Sequence, residues 1–598
     1  MVDRKRGCRI AVFSLVATGV FVEFLALGGC SLDENGSVDL AGRECFPETL
    51  AECYHGPPGT KKVGVCLSGV AVCRIDGTYG DCVGEVLPTV EDCFTPADED
   101  CDGLGRGDEE CHCTPLETMA CVTGGLGVCA KGVRTCALDG AAFDVCVADE
   151  DPSPENCARP EDENCDGQTP ACTGDLSFAR SSGGLLSDVA FAVATNGVAQ
   201  AIAGVADGDV FFRTVNAGSA YVERRDGLLN LSWKRAFPSV GGRSVVRGVA
   251  VSPKGGIIGA GHFYGSMDVG GIPLVSNGED AFVFTIDALG KVLWAKRFGD
   301  INPQVVNTLA LGLGGVIAVG GEVFGTIDLG SGPKTANGND AFVALLDSKG
   351  TQIWSRLFGD GASQRVYGVA FTPDEDLVVV GEFDGVMDLG SGPLTSASTD
   401  VFVACLAKND GAPKWGIKLG DDGFAQHGYA VAVGPGGEIA VTGGFGGSMT
   451  IGQTNLASAS ADDVFVVVLE PGGALRWAKR YGDAAGAEQV GSGITFDEAG
   501  NVIVTGHFDG TIDFGTGPLM TQGQADVFVA KLGGDNGDLI WAKQAGDGQI
   551  QRGFGVAASA GARLFVGGGY QGTLDWGAPT MPLTSVGGAD WFMVTIAP

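Results

Sequence analysis

The stretch Leu293-Trp294-Ala295-Lys296-Arg297-Phe298-Gly299-Asp300 decides the fold, because the chain keeps repeating it. Trp294 has counterparts at Trp233, Trp354, Trp415, Trp477 and Trp541, and successive intervals are 61, 60, 61, 62 and 64 residues. Phe178, in Leu176-Ser177-Phe178-Ala179-Arg180, stands in the same context 55 residues before Trp233, which makes seven junctions. A period of this length without helical spacing marks stacked small sheets, since one such sheet cannot bury both faces alone.

Within the third repeat the pattern predicts four strands, at 305–311, 316–323, 340–346 and 352–357. The second is almost continuously apolar, as a strand covered on both faces must be. Gly314-Gly315, Gly330-Ser331-Gly332-Pro333 and Ser348-Lys349-Gly350 supply the turns. The expected fold is all-β: a seven-bladed β-propeller of four-stranded blades over residues 173–598, preceded by a small disulfide-rich tandem region. The domain opens on a lone fourth-type strand near Phe178 and ends on a third-type strand, 591–596. Pairing the two would complete the last blade and remove an exposed edge.

The text Gly381-Glu382-Phe383-Asp384-Gly385, Met387-Asp388-Leu389-Gly390 and Asp400-Val401-Phe402-Val403 resembles the SBBP repeat of bacterial exported proteins. That resemblance spans about 425 residues and implies the propeller, but no defined activity. The first repeat departs most: 206–230 lacks the Asp-Leu-Gly turn and carries Tyr221, Glu223, Arg224 and Arg225 instead.

Upstream, Arg4, Lys5, Arg6 and Arg9 precede an apolar run over 10–27, broken by Glu23 and ending in Leu27-Gly28-Gly29-Cys30. This resembles a lipoprotein signal (1–29) with its lipobox. It implies a lipid on Cys30, an exported chain anchored to the outer membrane or cell surface, and a linker over 30–44. The alternative is an uncleaved membrane anchor.

Sixteen of the nineteen cysteines fall in two sets of eight. Cys45, Cys53, Cys66, Cys73, Cys82, Cys93, Cys101 and Cys111 form one module (45–111). Cys113, Cys121, Cys129, Cys136, Cys146, Cys157, Cys165 and Cys172 form the next (112–172). Gly64-Val65-Cys66 matches Gly127-Val128-Cys129, so the region is a tandem duplication. Even counts, an exported context and no C-x₂-C pair predict four disulfides per module rather than zinc, with pairing open. Cys405 stands alone in an apolar strand and reads as a buried small hydrophobe.

The formal net charge is −35, which argues against nucleic-acid partners. Between residues 31 and 172 there are 29 acidic and 8 basic residues, leaving that region at −21. Asp98, Glu99, Asp100 and Asp102 surround Cys101, and Asp162, Glu163, Asn164 and Asp166 surround Cys165. Clustered carboxylates before a Gly turn have the chemistry Ca²⁺ takes, against the plainer reading of a solvated acidic turn. The clusters resemble the D-x-D-C-D-G metal-binding motif of cysteine-rich surface proteins of myxobacteria. Asn164 removes one charge from the second.

Asp268, Asp328, Asp388, Asp513 and Asp575 recur two residues before a turn glycine and are expected to cap it. Asp300, Asp360, Asp421, Asp483 and Asp547, after each Trp strand, read the same way. One position varies between repeats: His262, Glu322, Glu382, Gly444, His507 and Gly568. Side chains there, if aimed into the central channel, would make His262, Glu322, Glu382 and His507 the candidate site. No nucleophile elbow, phosphate loop or H-E-x-x-H pair is present. The expectation is a monomeric, non-enzymatic surface protein binding a protein or glycan. The alternatives are an extracellular polysaccharide hydrolase or lyase using the channel, and a Ca²⁺-binding structural protein.

Overall fold

A computed structural model describes residues 49–74, 77–89, 97–103, 116–123, 127–137 and 143–149, and residue 174 with 176–597 apart from 212–213, 391, 422, 460–461, 484–487, 560–562 and 578–579. The described residues form two compact units, 49–149 and 174–597. The expected signal segment (1–29), Cys30 and the expected linker (30–44) lie outside them.

In the first unit, Leu50–Cys53 pairs with Gly69–Val72, while Thr118–Val122 pairs with Lys131–Thr135 and that strand with Val147–Ala148. Cys53 bonds Cys82, Cys66 bonds Cys101, and Cys121 bonds Cys146. The second and fifth cysteines of each set are thus joined in both modules. An isolated bridge also recurs, Cys73 with Tyr79 and Cys136 with Phe143. The duplication read in the sequence is therefore repeated in space. Cys73, Cys129 and Cys136 are disulfide-bonded as well. Cys45, Cys93, Cys111, Cys113, Cys157, Cys165 and Cys172 lie outside the described residues. Each cross-link of this loop length stabilises by about 2–4 kcal/mol, which a small, polar module needs.

The second unit is a propeller of antiparallel sheets of four strands, with the short Ser239–Val240 added as a fifth in blade 2. Blade 1 runs through Ser187–Thr195, Ala199–Phe211, Thr214–Asp226 and Leu231–Phe237, and blade 2 through Ser244–Val251, Ile257–Asp268, Pro273–Ile286 and Val292–Phe298. Blade 3 is Gln304–Leu311, Ile317–Ile327, Lys334–Leu346 and Gln352–Phe358. Blade 4 is Gln364–Phe371, Leu377–Asp388, Pro393–Leu406 and Pro413–Leu419. Blades 5 and 6 are built on Gln426–Val433, Ile439–Phe445, Asp463–Leu469 and Leu475–Tyr481, then Gln489–Phe496, Val502–Phe508, Asp526–Leu532 and Leu539–Ala545. Blade 7 takes Gln551–Ala558, Leu564–Tyr570 and Asp590–Ile596 from the end of the chain and Leu176–Ser182 from the start. There Trp591 faces Ser182 and Ile596 faces Leu176. First strands pack on one another in order, and that of blade 7 returns to that of blade 1, where Phe554 meets Phe191 at 5.2 Å. In blade 3 the second and third strands run longer than the apolar pattern predicts. Their hairpin continues to Ile327 and restarts at Lys334, carrying polar residues beyond the core.

The repeated Trp explains the period. Trp294 donates its indole N–H to the carbonyl of Ser348 (3.0 Å) and Trp354 to that of Lys408 (2.8 Å), each reaching the outer turn of the following blade. The ring lies on a turn glycine: a Cβ on Gly411 would come within 2.6 Å of Trp354, and its φ is +69°. The Asp rows cap turns as expected. Gly330 and Gly332 donate to Asp328 (2.7 and 3.1 Å). Asp360 accepts from Ala362 N–H, from Val386 N–H and from the Gln364 amide (2.8, 2.8 and 2.9 Å). Cys405 is buried, and burial pushes its thiol up to about 11, as suits a core residue.

Candidate functional site

Every first strand carries a β-bulge. The register slips between Ala190 and Ala192, Val246 and Gly248, Val306 and Thr308, Val366 and Gly368, Gly428 and Ala430, Gly491 and Gly493, and Gly553 and Gly555. The extra residue of each pair is Phe191, Arg247, Asn307, Tyr367, Tyr429, Ser492 and Phe554. A bulge re-aims one side chain, and these seven line a single central cavity of about 190 Å³. The bulge also brings the first strand's backbone against the second. A Cβ on Gly321 would sit 1.8 Å from the Val305 carbonyl oxygen, so the residue before the variable position must be glycine.

The girdle is uneven. Phe554 and Phe191 form one aromatic pole, with the Arg247 guanidinium 4.1 Å above the Phe191 ring. Tyr367 and Tyr429, three and four blades round from Phe191, form the other, edge to face at 5.4 Å. Asn307 and Ser492 lie between the poles. Toward the ends where first strands finish, the channel is lined by Val249, Leu309, Val369, Val431, Ile494 and Val556, all apolar.

Near the starts of the first strands, charged side chains of neighbouring blades are joined. Arg365 bridges two carboxylates, with Nε 2.7 Å from Glu322 and Nη1 2.9 Å from Glu382. Glu382 also meets His427 Nδ1 at 2.6 Å and accepts from the Tyr367 hydroxyl at 3.3 Å. The His427 ring stacks on Tyr429. Asn339 donates to Glu322 (2.5 Å) and Ser363 (3.2 Å). Burial pushes the Glu382 carboxyl up, but the hydrogen bond and charge of His427, with Arg365, outweigh it and the net direction is down. For His427 burial opposes the charged form, and the Glu382 hydrogen bond and charge again win, so its pKa is raised. Each member of the pair thus favours the charged form of the other.

The four sequence candidates therefore divide. Glu322 and Glu382, on adjacent blades, are joined through Arg365. His262 belongs to blade 2, where its ring bonds the Val306 backbone of blade 3, and His507 belongs to blade 6; neither joins the Arg365 cluster. His262 is buried, 3.7 Å from Glu279, which Arg243 holds through two hydrogen bonds of 3.0 and 2.9 Å. Burial, with Arg247 nearby, lowers its pKa to about 3, so it is neutral. His507 is fully buried, 3.8 Å from Glu488. One register needs correction. The blade 7 member of this position is Gly569, not Gly568: Gly569 faces Arg552 as Glu382 faces Arg365, while Gly568 matches Gly381. The sequence reading also missed Arg365, His427 and the girdle. Their signal was a first-strand position whose residue type changes while its neighbours stay small or aliphatic.

In the first unit the carboxylates of Asp98, Asp100 and Asp102 lie within 4.8 Å of one another. Asp98 accepts the amides of Asp102 and Gly103 (3.1 and 3.0 Å), and Cys101 sits at φ +63°. This is a turn whose oxygens suit a hard cation and that also satisfies itself. His55, Glu85 and Cys82 also gather, but Cys82 is held in its disulfide. Asp162, Glu163, Asn164 and Asp166 lie outside the described residues.

Fold and site together define an all-β propeller with a blade-specific channel and a disulfide-rich N-terminal region. No family model matches the chain, and no curated protein does. Among solved structures it is similar to the Dos1 propeller (10% identity, 71% of this chain and 95% of that one, TM-score 0.36). It is also similar to BamB from Moraxella catarrhalis (12%, 71% and 100%, 0.34) and to YCF48 bound to D1 peptide (9%, 72% and 99%, 0.34). At these values no function is carried across.

Proposed function

We propose that the chain is a non-catalytic, lipid-anchored surface protein whose propeller receives a ligand at its central channel. One observation carries this reading: what repeats between blades builds the ring, while the bulge residues lining the central cavity differ from blade to blade. A binding site needs such asymmetry, whereas a purely structural ring does not. Holding Glu382 ionised between His427 and Arg365 suits anchoring a ligand better than donating a proton, which favours binding over hydrolysis. In this reading Cys30 carries the lipid, the cysteine modules act as an acidic spacer, and the 98–102 turn takes Ca²⁺. The test is affinity capture from the native envelope and its surroundings by the immobilised full chain, beside Arg365→Ala and Glu322→Gln. Material retained by the native chain and lost by both variants supports the reading. Identical profiles for all three overturn it.

A further inference from the structure

We infer that a second surface, on the face where first strands finish, docks an acidic peptide segment of a partner protein, anchored by one apolar side chain in a cleft between blades 2 and 3. This surface is separate from the Arg365 cluster, which lies near the starts of the first strands.

Shape supplies the anchor. The cleft has a volume of about 250 Å³ and is walled by Ile257, Ile258, Ile286, Leu293, Leu311 and Ile317. Ile257, Ile286 and Ile317 belong to the packed core, whereas Leu293 is 59% exposed. That volume is below the roughly 300–1,000 Å³ of pockets that enclose a drug-sized ligand, so the cleft suits a single inserted side chain. The turns around it also hold large apolar residues in water: Leu289 is 87% exposed and Leu313 73%. Among the described residues, the exposed large apolar side chains in the turns of this face are Val198, Leu228, Leu289 and Leu313, and all belong to blades 1 to 3. Grouped exposure of this kind marks a contact surface, where scattered single residues would not.

Charge selects the partner. The turns of blades 1 to 3 carry Lys254, Lys291 and Lys349, all exposed, and Lys254 lies against the cleft. Their acidic residues, Asp226, Asp287 and Asp347, each accept two backbone N–H groups at 2.8–2.9 Å and so serve the turns themselves. In blades 4 to 6 the same turns carry Asp374, Glu375, Asp410, Glu470, Glu498 and Asp535 against a single cation, Lys408. The face is thus two-sided: apolar and lysine-bearing on one half, acidic on the other. Lysines set around an apolar cleft attract carboxylates that flank an apolar residue. The acidic half repels an anionic bilayer, which favours a peptide over a lipid surface.

The test is fluorescence anisotropy of short labelled peptides with the full chain. One set has a leucine, isoleucine, phenylalanine or tryptophan flanked by glutamates; controls have flanking lysines instead, or serine at the centre of the glutamates. At least one glutamate peptide with an apolar centre should bind, more weakly as salt is raised, and the controls should not. Affinity should fall at least about tenfold in Leu293→Ser and in Lys254→Glu/Lys291→Glu/Lys349→Glu. These side chains are exposed, so the fold is spared, and an unchanged Tm checks it. No binding of any glutamate peptide, equal binding of either control, or affinity unchanged in either variant overturns the inference. So does adhesion of the full chain to phosphatidylglycerol vesicles that both variants abolish while the peptides stay unbound, which gives the face to a membrane.

Discussion

Replacing Gln544 with Arg should stabilise the propeller at neutral pH and hardly at all in acid. Third strands carry a buried aspartate at the same register: Asp280, Asp340, Asp400, Asp463, Asp526 and Asp590. In blades 2, 4 and 5 the fourth strand supplies a cation to it, Arg297, Lys418 (2.7 Å) and Arg480 (2.6 Å) respectively. Blade 6 has Gln544 there, whose amide lies 3.3 Å from Asp526. Burial, reinforced by the charges of Asp547 and Asp509, pushes Asp526 up from 3.8 to about 7. The folded chain then binds a proton that the unfolded chain has released, so stability falls as pH rises from about 4 to about 7. At 1.36 kcal/mol per unit that window is worth about 4 kcal/mol for a fully buried group, and about 2 once local relaxation is allowed for. Gln544→Arg places a guanidinium where Arg480 sits in blade 5. It should recover about 2–4 kcal/mol at pH 8 and close to nothing at pH 4. Chemical unfolding of both proteins across that range measures the difference. A variant whose stability runs parallel to the native chain at every pH would refute the reasoning, as would Asp526→Asn leaving the slope intact.

Lys531 and Asp497 form a buried pair at 2.9 Å, so Lys531→Met should cost about 3–5 kcal/mol by stranding the carboxylate, and adding Asp497→Leu should restore most of it in the same unfolding assay. Gly411→Ala forces a Cβ onto the Trp354 ring at positive φ and should cost about 2 kcal/mol, read as a lowered Tm. NMR titration should find His427 above the ordinary histidine value of 6.5 and His262 near 3. With its raised pKa, His427 contributes stability below its unfolded value and loses it as pH rises through the folded one. The reverse order would mean that Glu382 does not hold it. Native Cys405 should resist aromatic disulfide reagents until the chain unfolds.

The ring was legible because tryptophan and glycine mark the same contact in successive blades, and each interval between tryptophans is one sheet. The channel was legible only in part. Reading second strands alone found Glu322 and Glu382, whose side chains come from that strand. It overlooked blade 5, where the second strand offers Gly444 and the functional group, His427, comes from the first. In blade 7 three successive glycines, Gly567 to Gly569, leave no side chain to fix the register, which is how the position slipped by one. The bulges were invisible for a related reason. An inserted residue breaks the alternation on which strand reading depends, so Tyr367 or Phe554 looks like one more core aromatic. Disulfide pairing depends on which turns approach one another, which spacing does not encode.

Closure of blade 7 has a consequence for how the protein is made. The strand around Phe178 leaves the ribosome about four hundred residues before its neighbour around Trp591. Blades 1 to 6 each form from consecutive strands, but blade 7 cannot, and its pairing is among the most distant in the chain, which makes completion of the ring slow. Until the final strand arrives, the first one is an unpaired edge that any passing chain could extend.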